Sequence, residues 1–453
     1  VGHNYLKDLL ATQTTNAVGF IVPENHPPGI YFKGTYEKTY FVWQIRTADG
    51  LYYRYYIKAW NHVTKTMSST YLVDEFAYDM PDGHFAPAIG VLPNKKLIVF
   101  YHCHSNDPMY YKISTNAEDE SSWGSRLNIP RRNWGWTYPN VLSYSDKVII
   151  FARDSIGTNH IAWLMNTSVD GITWTGWVLI NEWWTGDLPP NNHNAYFIFR
   201  KQGDFLLAAA TRCYYEAPNY VYDNMYFAYS DDRGVTWKKA DGTTINLPLT
   251  EADTLIAVAA HRTHQAYPIL DADDRPCVTA ANDLLNPVGP WKLRIARYWG
   301  AIGHSGEWTL DFVEDENGTD IEFGYLPLAT MLKNGKISLI APHGDVWGGN
   351  AYKMKLFREI EGQPYRFRVV HIDGTAAMMS SQAVPVEDAD LAPDAIDWMV
   401  YWVVATADRK LYAFVLERKA ESLPRKFDGT FILDGYLDHN KIIDYLEKVE
   451  EKE

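Results

Sequence analysis

The feature that most constrains this chain is a hairpin that keeps returning with its apolar strands intact and its end residues changed. Between His84 and His104 the sequence reads HFAPAIGVLPNKKLIVFYHCH, two apolar runs about the polar turn Pro93-Asn94-Lys95-Lys96 with a histidine at each outer end. The outer ends of a hairpin return to one edge of the sheet, so His84 and His104 are expected side by side. The next unit, TYPNVLSYSDKVIIFAR, puts Tyr138 and Arg153 where the histidines stood. HNAYFIFRKQGDFLLAAATR runs from His193 to Arg212, and GYLPLATMLKNGKISLIAPH ends at His343.

Units begin near residues 14, 84, 138, 193, 264, 325 and 384, about 54 to 71 residues apart. Each has room for four short strands, the content of one propeller blade. The expected fold is therefore all-β, a seven-bladed β-propeller of four-stranded antiparallel blades in a single domain over residues 1–453. In the first unit, TYFVWQIRT and LYYRYYIKAW are strand candidates about the turn Ala48-Asp49-Gly50. Residues 1–13 read as a lead-in with one helical turn around Tyr5 to Leu10, and the blades occupy about 14–424. About 425–453 reads as an extension, a strand in FDGTFILDGYL and then a short helix that Asp438 caps.

Two blade ends carry a turn motif. Ser230-Asp231-Asp232-Arg233-Gly234-Val235-Thr236-Trp237 has the Asp-box form S-x-D-x-G-x-T-W, and Ser168-Val169-Asp170-Gly171-Ile172-Thr173-Trp174 is one residue shorter. Ser and Asp cap a tight turn, Gly supplies a positive φ and Trp packs between blades, expected on the outer side of each blade. This is a folding device and is silent on chemistry.

Composition narrows the partner. A formal charge of −14 argues against nucleic acid or an anionic membrane, which need a basic face, while local arginines can still take an anionic sugar. The 17 Trp and 31 Tyr exceed what packing usually needs and suit carbohydrate. Three cysteines, Cys103, Cys213 and Cys277, cannot make a disulfide framework. No apolar run is long enough for a spanning helix. The start, VGHNYLKDLL, lacks a signal peptide's pattern, as a mature N-terminus would. A secreted or periplasmic monomer is expected.

In a propeller the first strand of each blade lines the channel and the connections at one rim form a funnel. His84, His104, Tyr138, Arg153, His193, Arg212 and His343 would converge there from neighbouring blades. Unrelated structural needs rarely place His, His, Tyr and Arg at equivalent positions of adjacent repeats. Trp136, His102 and Asn194 stand beside them in the sequence. Alternation would put His102 on the same face as His104.

At these residues the chain resembles the BNR-repeat propellers that include the propeller-type ulvan lyases. The resemblance runs through D-G-H-F-A-P, Y-H-C-H, M-Y-Y-K-I-S-T-N, S-S-W-G, T-Y-P-N and F-A-R, roughly residues 82 to 153, and continues more weakly beyond. It implies that His84, His104, Tyr138 and Arg153 are catalytic; His193, Asn194, Arg212, Trp136, His102 and His343, at or beside the equivalent strand ends, are the expected substrate contacts. The family usually has Asn after the first histidine; here that residue is Phe85.

The implied reaction is β-elimination on a uronic-acid-containing polysaccharide, ulvan-like with rhamnose and glucuronate. Arg153, helped by one histidine, would neutralise the carboxylate. A base would take the C5 proton and an acid protonate the leaving oxygen. His84 is the first choice of base, His104 of carboxylate partner and Tyr138 of acid, though Tyr138 can also be the base because nearby cations favour a phenolate. No cofactor is required. The resemblance implies a structural zinc in some members; His261, His264 and Cys277 bracket a hairpin, and His264 and Cys277 are candidate ligands if they meet across it, with a third such as His343. The rival readings are an α-L-rhamnosidase on the same fold, a sialidase, whose arginine triad and Tyr/Glu pair cannot be assembled here, and a non-catalytic carbohydrate-binding propeller.

Overall fold

The structure, a computed structural model, describes residues 3–13, 29–78, 85–102, 108–129, 136–157, 160–181, 183, 194–216, 219–257, 263–271, 273–282, 291–323, 328–331, 337–343, 352–360, 362–377, 382–385, 387–388, 396–404 and 409–418. The described strands form seven sheets, and one helix, Glu251–Thr254, stands among them. Four sheets have four strands; the other three have five or six because further strands are added at their edges. The chain is a β-propeller, and each expected hairpin is present. Ala88 faces Phe100 across the hairpin of the second sheet. Glu37–Arg46 pairs with Tyr52–Asn61 in the first.

The sheets follow one another around a ring. Their first strands, Gly29–Lys33, Ala88–Val91, Trp136–Ser143, Asn194–Gln202, Thr263–Leu270, Leu328–Met331 and Gln382–Pro385, pack each against the next. Between them lie apolar layers. Phe151 and Trp163 of the third blade meet Phe197, Phe199 and Trp237 of the fourth, with Phe151 and Phe199 stacked at 3.8 Å. Burial of such rings is the main stabilising term at each blade interface.

Ring closure departs from expectation. Residues His3–Gln13 are a strand, not a lead-in with a helical turn, and they form the outer strand of the last sheet by pairing with Arg409–Arg418. Residues Tyr5, Lys7, Leu9 and Ala11 can serve a strand as well as a helical turn, and pairing with Arg409–Arg418 decides between them. A second closure comes from Glu387–Asp388, which leaves the last blade to pair parallel with Gly29–Lys33 of the first. The tail beyond 425, with its expected strand and helix, lies outside the described residues.

Both Asp boxes sit between the third and fourth strands of their blades. In the first, Ser168 Oγ accepts from Gly171 N at 2.8 Å and Asp170 Oδ1 from Ile172 N and Thr173 N, each at 2.7 Å. In the second, Ser230 Oγ accepts from Gly234 N at 2.8 Å and Asp232 Oδ1 from Thr236 N at 2.8 Å. Gly234 has φ 89°, and a Cβ there would lie 2.8 Å from Met165 Sδ, so neither the conformation nor the space admits a side chain. Trp237 is fully buried between the third and fourth blades.

Candidate active site

The third blade begins with a distortion. Its first two strands, Trp136–Ser143 and Val148–Gly157, lose register between Thr137 and Asn140, and Tyr138 in that gap has φ 58°. A bulky residue rarely adopts left-handed backbone, and such strain collects where a side chain must be aimed. Here the bulge brings Tyr138 under Arg153, whose guanidinium lies 4.4 Å from the ring centroid. Both residues are half-buried.

Arg153 reaches across to the fourth blade as well. Its guanidinium lies 5.2 Å from the ring centroid of Tyr196, and no carboxylate pairs with it among the described residues. Nη1 is buried without a hydrogen-bond partner among them. Burial pulls its pKa down, but Tyr196 and Tyr138 outweigh that and hold it above the ordinary arginine value, so the cation persists. A lasting positive charge in a cradle of rings, with Nη1 unspent, is equipped to take an external anion.

Arg212 is different. Its Nε and Nη2 donate to Asp223 at 2.8 and 2.6 Å, and Nη1 donates to Glu251 at 3.1 Å. The bonds to Asp223, with both acids' charges, raise its pKa against burial. A guanidinium already holding two carboxylates has little left for a substrate anion, which weighs against the substrate contact expected of Arg212.

His102 is also corrected. It is fully buried, with φ 51°, and its ring lies between Phe76 at 3.7 Å and Phe85 at 4.2 Å. The imidazole is enclosed in an aromatic box, while the face expected to be shared with His104 lies outside the described residues. Phe85, the departure from the family's Asn, is one wall of that box. Nearby, Asp74 binds the Tyr101 hydroxyl at 2.7 Å, Arg126 at 2.6 Å and Lys112 at 3.1 Å, clamping the first and second blades beside the end of the LIVFY strand.

The zinc ligands do not fit. In the fifth blade His264 is opposite Ala281 and Cys277 opposite Ile269, so His264 and Cys277 stand about four residues, or ~13 Å, apart along the hairpin and do not meet across it. Among the described residues no cluster of three metal-ligating side chains occurs.

His84, His104, His193 and His261 lie outside the described residues. Trp136, Asn194, His264 and His343 are placed in strands, with backbone course alone described. Sequence reading missed Tyr196. It is the third residue of its blade's first strand, as Tyr138 is of the preceding one, and that coincidence was the available signal.

Residues 44–309 match the model of a family described as BNR repeat-containing family member. The chain belongs to that family. Among solved structures, this BNR-repeat protein is similar to a PL25 ulvan lyase, with 17% identity and a TM-score of 0.66 over 88% of this chain and 95% of that one. The same enzyme "bound to -[GlcA(1-4)Rha3S]-" aligns with a TM-score of 0.67 at 17% identity, over 89% and 94% of the two chains. The polysaccharide lyase Uly1 aligns at 0.61 with 12% identity, over 88% and 91%. At such identities the likeness is one of fold. No curated protein matches the BNR-repeat protein in sequence.

Proposed function

We propose that the protein is a polysaccharide lyase that cleaves a uronate-containing chain by β-elimination. The observation that carries this reading is the Tyr138–Arg153 pair: a guanidinium with no carboxylate partner among the described residues, held over a phenol on a strained bulge. Hydrolysis of a neutral glycoside needs paired carboxylates, whereas elimination next to a carboxylate needs a cation to neutralise it and a proton donor or acceptor beside it. The alignment with lyases, one of them bound to a glucuronate-rhamnose unit, is consistent with the same class of substrate for this chain.

In this scheme Arg153 takes the uronate carboxylate, and His104 assists it. That lowers the cost of the enolate-like intermediate, which otherwise carries two negative charges. The C5–H bond breaks with its proton passing to His84. The electron pair forms the C4=C5 double bond, the C4–O bond breaks, and Tyr138 delivers a proton to the leaving glycosidic oxygen. No step uses a metal, water or redox partner. Acting on polysaccharide, the enzyme belongs outside the cytoplasm, secreted or periplasmic.

The test is a reaction with uronate polysaccharides in isotopically labelled water. The expected product has the ultraviolet absorbance of an unsaturated uronate and no oxygen from solvent. Label in the new sugar end would mean hydrolysis and would replace the lyase reading with that of a rhamnosidase-like hydrolase.

A further inference from the structure

We propose that Tyr196 and Tyr222 of the fourth blade form a sugar-binding subsite that takes the residue next to the uronate through its apolar C–H face. The assignment of the uronate to Arg153 rests on the lyase reading; the aromatic subsite itself does not.

Three tyrosine rings lead away from the candidate catalytic pair. Tyr138 and Tyr196 are 6.1 Å apart at an interplanar angle of 48°, and Tyr196 and Tyr222 are 5.7 Å apart at 46°. They step from the first strand of the third blade to the first strand of the fourth and then to its third strand, Asn219–Ser230. All three are half-buried. By contrast the neighbours of Tyr196 in sequence, Ala195 and Phe197, are buried in the layer between blades. Tyr196 is therefore not spent on filling that core.

The support beneath the rings is small and uncharged. Thr211 is opposite Tyr196, and Cys213 is opposite Tyr222, which puts the four on one face of the sheet. Thr211 and Cys213 are 0% and 2% exposed, so the tyrosines stand over a floor of short side chains. Burial pushes the Cys213 thiol up to about 11, which leaves the floor neutral near pH 7 and free of repulsion toward an anionic chain. Rings of this kind offer a pyranose both a flat apolar face and hydroxyls for its own. Arg153, 5.2 Å from the Tyr196 centroid, fixes the polarity. A carboxylate held there directs the adjoining sugar outward onto Tyr196 and Tyr222.

The test uses size-defined uronate oligosaccharides with Tyr222→Ala, Tyr222→Leu and Tyr222→Phe in the full chain. Tyr222→Leu keeps bulk over Cys213 without a ring, and Tyr222→Phe keeps the ring. The expected result is a KM on the longer oligosaccharides raised roughly 3- to 10-fold in the Ala and Leu variants, with kcat held, the shortest cleaved substrate unaffected and Phe close to wild type. Calorimetric binding of the same oligosaccharides gives the subsite a readout without turnover, so binding that lengthens with the chain but yields no elimination would sink the lyase and keep the subsite. Equal losses at every length, or none at any, would show that Tyr222 only packs, and so would the absence of any oligosaccharide binding.

Discussion

Arg153 and Arg212 occupy the same place in consecutive blades. Each is near the end of its second strand and opposite the second residue of the first, Thr137 in one case and Ala195 in the other. Their third-strand partners differ: Trp163 faces Arg153, whereas Asp223 faces Arg212. Glu251, from the short helix Glu251–Thr254, completes the second arginine's shell. The repeat thus delivers a cation to the rim twice, and the neighbours it meets determine whether that cation is available or already neutralised. A repeat position specifies where a side chain starts, and the third strand and following loop specify its charge state and partners.

The largest expected break in this comparison is at Tyr138. Tyr138→Phe keeps the ring under Arg153 and removes the proton, so turnover should fall by roughly 10² to 10⁴ with melting temperature and substrate binding nearly unchanged. His84→Asn should fall comparably, and the double variant should be little worse than either alone, because residues acting as a unit are not additive. Steady-state kinetics with thermal melts of the three variants checks this.

Next in size is Arg153→Lys, which keeps the charge but replaces a planar fork with a point donor. The loss expected is about 3 kcal/mol of transition-state stabilisation, more than 100-fold in kcat/KM. Equal activity would remove Arg153 from the carboxylate site.

Arg212→Leu should give the opposite phenotype. It leaves Asp223, a buried carboxylate, and Glu251 without their cation, and should lower stability by about 1 to 3 kcal/mol after allowance for partial exposure, while kcat/KM of the folded enzyme changes little. Denaturant titration beside kinetics reads both. A large kinetic loss with unchanged stability would restore Arg212 as a substrate contact.

The smallest effect belongs to the Asp boxes. In Asp170 the amides of Thr173 and Ile172 hold the carboxyl below its ordinary 3.8; in Asp232 burial works the other way, and bonds from Thr236, Ser230 and Val235 overcome it. A folded-state pKa below the unfolded one gives stability that is present above about pH 4 and lost as pH falls through the folded value. Asp232→Asn should therefore flatten the acid limb of the melting-temperature profile and leave its neutral part merely shifted. An unchanged acid limb would assign acid lability elsewhere.

Sequence reading reached the hairpins, the blade spacing and the Asp boxes because these are local. Period-two apolar runs, turn residues at fixed offsets and Ser-x-Asp-x-Gly spacing are satisfied within a few residues, whatever the rest of the chain does. The Tyr138–Arg153 pair was legible for the same reason, since one hairpin brings both ends together. Its cradle was not. Tyr196 comes from the next blade, and the positive φ of Tyr138 depends on a bulge that no residue type announces.

What failed in the sequence reading failed through distance. His3–Gln13 is a strand because Arg409–Arg418 lies beside it, and an isolated amphiphilic stretch of that length suits more than one secondary structure. His102 resembled a site residue until the aromatic walls from Phe76 and Phe85 enclosed it. His264 and Cys277 resembled a ligand pair until the register separated them. The sequence by itself determined the β-hairpins, their capped turns and the matching strand positions of side chains such as Arg153 and Arg212, since strand period and turn chemistry are short-range. Only the tertiary structure decided which of those side chains keep an unspent charge, because that depends on the carboxylates, rings and backbone register that distant segments bring within a few ångströms.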